Sequence, residues 1–372
     1  MTTATLRSAA TALALLLAAH GAAAQTPAPE ATPASGAQQF AELGDLKLRG
    51  GGVIRDFRIG YRTRGTLDAE RSNAVLWPTW LGGRTQDQLN YVGPGKLVDS
   101  SKYFVILVDS IGDGVTTSPS NSKSQPLAAF PEFSLRDMVE AEYRLVTETL
   151  GLRRLHAVVG TSMGGMQAFE WAVAHPDALD AAVPMFGSPQ PASPDRLWLT
   201  AQIDALKLDP AWKDGRSAGP MNRGFALAQE IDAMVSTTPE YRAAHTAPKD
   251  FAAFMSELAE DGKGDGKKAA DQIRQRQAIL AHDIPAEFGI TLEEAAGRVR
   301  AKLLVVVAAQ DHAVNPAPAL AFAAALGAPT ATIVSSCGHM SVHCVPLEPV
   351  VARFLDDPAA FRSVVLRDAT AR

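Results

Sequence analysis

The stretch Leu155-His156-Ala157-Val158-Val159-Gly160-Thr161-Ser162-Met163-Gly164-Gly165-Met166-Gln167 leaves the chain few ways to fold. Its first half is a short apolar run, as expected of a strand buried on both faces. Residues 166–175 read as a helix that stops at Pro176, which cannot continue one. The chain must therefore reverse from strand to helix at Ser162, within Gly160-Thr161-Ser162-Met163-Gly164. Glycines suit positions 160 and 164, where side chains would collide with the neighbouring strand and helix backbone. A serine hydroxyl is a weak nucleophile, and it becomes useful when held exposed at a strained turn within reach of a base. The helix that follows aims its free N–H groups and positive end at an oxygen reacting there.

Such a serine needs a histidine and an acid, and two later strands offer them. Leu303-Leu304-Val305-Val306-Val307 is a continuous apolar run that ends in Ala308-Ala309-Gln310-Asp311, so Asp311 falls on the loop beyond it. Ala331-Thr332-Ile333-Val334 leads into Ser335-Ser336-Cys337-Gly338-His339, which places His339 on the next loop after a glycine that permits a tight turn. Each residue has an ordinary alternative. An aspartate after a strand is often only a turn or capping residue. His312 and His343 compete with His339, but His312 adjoins the acid and cannot easily face it, and His343 reads as part of a turn into the next helix. The expected roles are Ser162 as nucleophile, His339 as base and then acid, and Asp311 fixing the imidazole tautomer and its charge. Two backbone N–H donors should hold the oxyanion. One is Met163, after the nucleophile. The other is expected from Leu81, with Trp80 the next candidate, in the loop Pro78-Thr79-Trp80-Leu81-Gly82-Gly83 that follows the strand Ala74-Val75-Leu76-Trp77.

The chain has 372 residues, 47% of them hydrophobic, which is enough for one large core and an inserted subdomain. A formal charge of −5 without basic clusters argues against nucleic acid as a partner. No cofactor is expected. Gly262-Lys263-Gly264-Asp265-Gly266-Lys267-Lys268 looks like a phosphate loop but lacks the preceding strand and the Gly-Lys-Ser/Thr spacing, so it reads as a mobile surface turn. The two cysteines, Cys337 and Cys344, flank His339. In an oxidising compartment they would pin its loop, whereas a helix beginning near Met340 would hold them apart, so the pairing stays open. Zinc is not expected, because four ligands within eight consecutive residues cannot easily surround a tetrahedral ion.

Arg7, the apolar run over residues 9–19 and Ala22-Ala23-Ala24-Gln25 fit a signal peptide at 1–24 with cleavage before Gln25. The run is shorter than the roughly 20 residues a bilayer span needs, and no cysteine near the cleavage site suggests a lipid anchor. The expectation is a periplasmic or secreted protein without a stable membrane anchor. Residues 25–38, rich in proline and alanine, read as a flexible leader.

From residue 39 the pattern is strand–helix alternation. Residues 53–61 alternate apolar and polar like a half-exposed antiparallel strand. Apolar strands at 74–77, 104–108 and 155–159 then alternate with helices. Ser134-Leu135-Arg136-Asp137 looks like a capping box for a helix running to Leu150. This rhythm predicts an α/β fold with a mainly parallel sheet and helices on both faces. The core spans 39–187 and 299–372. Between them, 188–298 reads as an inserted helical cap with helices over 225–235, 251–260 and 269–282. Its Trp198, Met221, Phe225, Met234, Phe254 and Met255 are pocket candidates, although such residues more often pack helices together.

The strand–turn–helix unit, and the order serine, acid, histidine, resemble the α/β-hydrolases. More narrowly, the chain resembles the homoserine O-acetyltransferase branch of that fold. The carrying residues are Tyr91-Val92-Gly93-Pro94-Gly95-Lys96, Tyr103-Phe104-Val105-Ile106, Leu135-Arg136-Asp137-Met138-Val139, Ser162-Met163-Gly164-Gly165-Met166-Gln167 and Glu170-Trp171-Ala172. The likeness covers roughly 43–187 and 299–355 and is thin across the cap. It implies the same three residues, Ser162, Asp311 and His339. In that family an aspartate follows the catalytic histidine and helps hold the amino-acid acceptor; here Met340 stands there. A Tyr-Arg-Ser element whose arginine suits a carboxylate is replaced by Ser236-Thr237-Thr238. A His-Ala-Leu-Thr-Gly loop reads Thr79-Trp80-Leu81-Gly82-Gly83. A site without those contacts should hold homoserine poorly, and acetyl-CoA is not expected outside the cytoplasm.

The leading expectation is thus an exported carboxylic-ester hydrolase working through an acyl-serine on a small-molecule ester. An acyltransferase with another acceptor is the alternative within enzymes, and a non-catalytic binding protein of the same fold is the alternative outside them. The oligomeric state stays open, with a homodimer as one option.

Overall fold

The strands of the chain fall into one sheet because their apolar runs have two faces to cover. The computed structural model describes residues 34–216 and 219–368. The expected signal peptide at 1–24 and most of the leader lie outside the described residues. The strands are β1 (Ala34–Ser35), β2 (Gln39–Lys47), β3 (Val53–Gly65), β4 (Ala74–Pro78), β5 (Phe104–Val108), β6 (Leu155–Thr161), β7 (Leu179–Met185), β8 (Lys302–Leu303), β9 (Val305–Ala308), β10 (Thr330–Val334) and β11 (Val364–Arg367). They lie in the order β1-β3-β5-β4-β6-β7-β9-β10-β11, with β2 paired to β3 and β8 to β7. From β5 through β11 every pairing is parallel, while β3 runs antiparallel to β2 and β5. Along β5 the side chains alternate: Phe104, Ile106 and Val108 join the apolar layer on one face, Val105 and Leu107 that on the other.

Helices α1 (Thr85–Gln88), α2 (Leu135–Arg144) and α3 (Met163–Ala174) connect the first parallel strands. The expected capping box opens α2: the Ser134 hydroxyl accepts the Asp137 N–H at 3.2 Å, and the Asp137 carboxylate accepts the Ser134 N–H at 2.8 Å. Its end widens into a π-helical turn over Leu145–Thr149. The insertion contributes α4 (Ser193–Lys207), α5 (Asn222–Ser236), α6 (Pro239–His245), α7 (Phe251–Asp261), α8 (Gly266–Leu280), α9 (Ile284–Phe288) and α10 (Leu292–Arg298), and α11 (Pro316–Leu326) and α12 (Glu348–Asp356) return to the sheet. Helices α4, α5 and α8 build a core of their own from Ile203, Leu206, Met221, Phe225, Ala269 and Ile273.

Three details depart from the reading of the sequence. The end of the leader is ordered: Ala34–Ser35 pairs with β3, and the Gln38 amide donates to the Asp109 carboxylate at 2.7 Å. The glycine–lysine turn is packed, with Gly264 against the Phe225 ring and its carbonyl accepting the Met221 N–H at 2.8 Å. Of the cap residues expected to face a pocket, Met221 and Phe225 are buried in the cap core and Met234 is 75% exposed. Among the described residues no helix is long and apolar enough to cross a membrane.

Candidate active site

The turn between β6 and α3 forces Ser162 to φ 57° and ψ −121°, a conformation that costs a non-glycine residue about 1–3 kcal/mol. Two hydrogen bonds hold it there. The Ser162 N–H donates to the Met185 carbonyl at 2.8 Å, and the Met166 N–H donates to the Ser162 carbonyl at 2.9 Å. A Cβ at Gly160 would lie 1.9 Å from the Gly164 carbonyl oxygen, so strand and helix meet this closely only over glycine.

His339 follows β10, inside a tight helical turn over Gly338–His343. Cys337 and Cys344, on either side of that turn, form a disulfide with their Cα atoms 6.5 Å apart. The pairing left open by the sequence is therefore made, because a compact turn rather than a regular helix separates the two residues. Gly338 enters the turn at φ 56° and packs under the Ser236 carbonyl, 3.3 Å from its Cβ position.

The imidazole of His339 links the two loops. Its Nδ1 lies 2.7 Å from Asp311 Oδ2 and its Nε2 lies 3.0 Å from Ser162 Oγ. Asp311 is itself fixed, since its Oδ1 accepts the N–H groups of Ala313 at 2.9 Å and Val314 at 2.8 Å. An acceptor at Nδ1 keeps the proton on that nitrogen and leaves Nε2 to take one from serine. Burial lowers the imidazole pKa, but the Asp311 carboxylate, joined by Asp232 and Asp195, outweighs it and raises the value above the ordinary 6.5. The competing histidines sit elsewhere. His312 is exposed, and His343 stands at the cavity rim with its Nδ1 3.2 Å from the Tyr91 hydroxyl.

Met163 is the first residue of α3, so its N–H has no partner within the helix. Leu81 lies in the turn after β4 and lines the same cavity as Ser162. That turn is secured from below and from above. Below, the Thr79 N–H donates to the Val108 carbonyl at 3.1 Å, and Gln167 Nε2 donates to the Thr79 carbonyl at 3.3 Å. Above, Gln275 of α8 accepts the Gly82 N–H at 2.9 Å and donates to the Ile111 carbonyl at 3.1 Å. Gln167 was quoted in the serine motif without a role, and Gln275 was not singled out. Gln275 carried a signal, a polar residue on the inward face of a helix beside Ile273 and Ala278.

Ser162 opens into a cavity of about 380 Å³ whose walls include Trp77, Trp80, Tyr91 and Trp198. Trp198 was the one expected cap residue found there. Asp232, Ser236 and Met340 complete the side nearest His339, and no lysine or arginine is among the described residues lining it. Thr237, which stands where the acyltransferase resemblance calls for arginine, is buried. Ser162, His339, Asp311 and two candidate amide donors thus meet beneath an aromatic-walled cavity, an arrangement able to carry out acyl transfer.

Known proteins carry the same framework. Over 183 residues the chain is 37% identical to a probable esterase of Corynebacterium glutamicum, covering 48% of this chain and 52% of that one. Over 206 residues it is 37% identical to a homoserine O-acetyltransferase of Geotalea daltonii, covering 50% and 56%. These matches span about half the length of the curated relatives. In three dimensions it superposes on an acetylester hydrolase from Corynebacterium glutamicum with a TM-score of 0.77 at 28% identity, over 87% of this chain and 95% of that one. The alpha/beta hydrolase fold family matches residues 84–343, from the turn after β4 to the end of the histidine turn, and the chain belongs to that family.

Proposed function

We propose that the protein is an exported carboxylic-ester hydrolase that works through an acyl-serine. The observation that carries this reading is the line Ser162 Oγ–His339 Nε2–Asp311 Oδ2, with separations of 3.0 and 2.7 Å, opening into the aromatic cavity. As the Ser162 oxygen attacks the ester carbonyl, its proton passes to His339 Nε2, and Asp311 stabilises the resulting imidazolium. The oxyanion forms against the amides of Met163 and Leu81. When the carbon–oxygen bond breaks, His339 returns the proton to the departing alcohol. Water then enters, gives a proton to His339 and attacks the acyl-serine; the bond from the acyl carbon to Ser162 Oγ breaks as His339 returns that proton to Oγ, and the acid leaves.

The second reading, transfer to a non-water acceptor, is favoured by the relative named homoserine O-acetyltransferase. The cavity offers no guanidinium for the carboxylate of homoserine itself, because the buried Thr237 stands in the arginine's place and no lysine or arginine is among the described lining residues. Export is supported by residues 1–24 and by the disulfide, a bond that persists in oxidising compartments; an N-terminus at Gln25 in protein recovered from the periplasm or medium would establish it. The test of the activity is turnover of p-nitrophenyl acetate beside the Ser162→Ala variant, with and without acetyl-CoA and homoserine. Steady acceptor-independent hydrolysis that vanishes in the variant is the expected result. A stoichiometric burst that stalls until an acceptor is added would make the protein a transferase.

A further inference from the structure

The cavity over Ser162 has an uneven charge. Asp232, on the last turns of α5, lines it, and Asp311 and Asp195 act on His339 from the floor. Against these three carboxylates, no lysine or arginine is among the described lining residues. Asp232 receives one hydrogen bond, from Ser236 Oγ to Oδ2 at 2.8 Å, and its Oδ1 has no hydrogen-bond or ion-pair partner among the described residues. Arg276 feels Asp232 electrostatically, but its guanidinium is buried against Gln202 Oε1 at 2.7 Å and Gln272 at 3.1 Å and makes no ion pair with it. A carboxylate facing a low-dielectric cavity concentrates cations there.

The walls suit an organic cation. Tyr91 stands edge-on to Trp80 with ring centroids 6.5 Å apart, and tilted to Trp77 at 6.3 Å, so three rings form one continuous surface. Aromatic faces attract ammonium groups through their quadrupoles, more strongly when water is excluded. The side of the cavity also matters. The Ser236 carbonyl and Thr237 Cα pack on Gly338, immediately before His339. Asp232 and Ser236 therefore stand on the His339 side, where the departing alcohol must receive its proton, and the Met163 and Leu81 amides serve the acyl oxygen.

We propose that the preferred substrate is an ester whose alcohol carries an ammonium group, seated between Asp232 and the aromatic wall. This rests on the acyl-serine reading above. Ser162 takes the acyl group, the amino alcohol leaves with the proton from His339, and water releases the acid.

The test compares acetylcholine with its uncharged carbon isostere, 3,3-dimethylbutyl acetate, on the full chain and on Asp232→Asn. Losing the Asp232 charge also shifts His339, but that affects both esters equally and cancels in the ratio of their kcat/KM values. The expected ratio favours the cationic ester by about tenfold or more in the wild type and falls toward one in the variant. In the wild type it also falls as salt rises from about 0.01 M to about 0.5 M, a readout that does not depend on the variant folding. A wild-type ratio at or below one, or a ratio unchanged in Asp232→Asn, overturns the proposal while leaving the esterase intact. If neither ester nor p-nitrophenyl acetate is turned over, both readings fall together.

Discussion

Replacing Gln275 with leucine would ask whether the helical insertion holds the oxyanion loop in place. The Gln275 side chain is fully buried and bridges two loops, through the Gly82 N–H at 2.9 Å and the Ile111 carbonyl at 3.1 Å. Leucine fills a similar volume and offers neither bond. The buried Ile111 carbonyl left without a partner costs about 1–3 kcal/mol, whereas Gly82 is exposed and its N–H can turn to water. With the Gly82 bond gone, residues 80–83 are free to swing outward. That movement carries the Leu81 amide away from the reacting oxygen, and losing one such donor lowers turnover about 100- to 1,000-fold. The expected outcome is a kcat for p-nitrophenyl acetate reduced by a factor in that range, with KM changed less than about threefold. Rates would be referred to serine titrated with a fluorophosphonate, so that misfolded protein is not counted. Gln277→Leu is the control, because that amide meets only the side chains of Arg274 and Glu132 on the outer side of the same helix. A kcat per titrated serine within about twofold of wild type, together with the full loss of stability, would refute the reasoning.

Asp311→Asn frees the imidazole to adopt the wrong tautomer and should lower kcat about 10³- to 10⁴-fold. Because the neutral imidazole is the base and its pKa is raised, the acid limb of the wild-type kcat/KM profile should lie above 6.5, and Asp232→Asn should move it down. The Cys337–Cys344 bridge closes an eight-residue ring worth about 2.5 kcal/mol by chain entropy, so the double serine variant should lose heat stability and kcat together. Dithiothreitol should reproduce that loss in the wild type and have no effect on the variant. Glu142 is fully buried, and burial, only partly offset by the Trp171 indole at 2.6 Å, raises its carboxyl to about 8. Its folded pKa exceeds the unfolded value of 4.5, so between them the folded chain holds a proton that the unfolded chain has released, and stability falls as pH rises through that window. In Glu142→Gln the melting temperature should therefore drop less between about pH 5 and about pH 8 than in the wild type.

Much of the sheet was legible in the sequence because parallel strands buried on both faces are nearly continuously apolar, as Phe104–Val108 is without a break and Leu155–Val159 is apart from His156. The serine turn was legible for a related reason: only glycine at 160 lets the strand approach the helix carbonyl. The insertion was legible as helices but not as a surface. Helical spacing marks which residues face inward without saying whether inward means a pocket or a neighbouring helix, so Met221 and Phe225 could not be told from Trp198. Asp232 escaped notice because a polar residue on an amphipathic helix is normally solvated, and nothing local in the sequence says that this one faces a cavity. The disulfide turned on local geometry. A spacing of seven residues is compatible with either a tight turn or a longer helix, and only the tight turn over Gly338–His343 brings the sulfurs together.

The insertion is better understood as part of the catalytic scaffold than as a lid above it. Each of the three loops that bring reactive groups to Ser162 is tied to a different one of its segments. Trp198 of α4 donates to the Ala313 carbonyl at 2.8 Å, and Asp195 accepts the Asn315 N–H at 3.0 Å, which steadies the loop carrying Asp311. Thr238, between α5 and α6, donates from its N–H and its hydroxyl to the Ser336 carbonyl at 3.1 and 2.8 Å, which anchors the approach to His339. Gln275 of α8 holds the loop of Leu81. These ties use glutamine, threonine, tryptophan, aspartate and backbone groups, and they demand little of the residues between them. The side chains of Asp232 and Ser236 face the cavity and take no part in those ties. On the acyl-serine reading, chemistry would be fixed by the loops that the insertion steadies, and selectivity by the few insertion side chains, Asp232 among them, that the ties do not use.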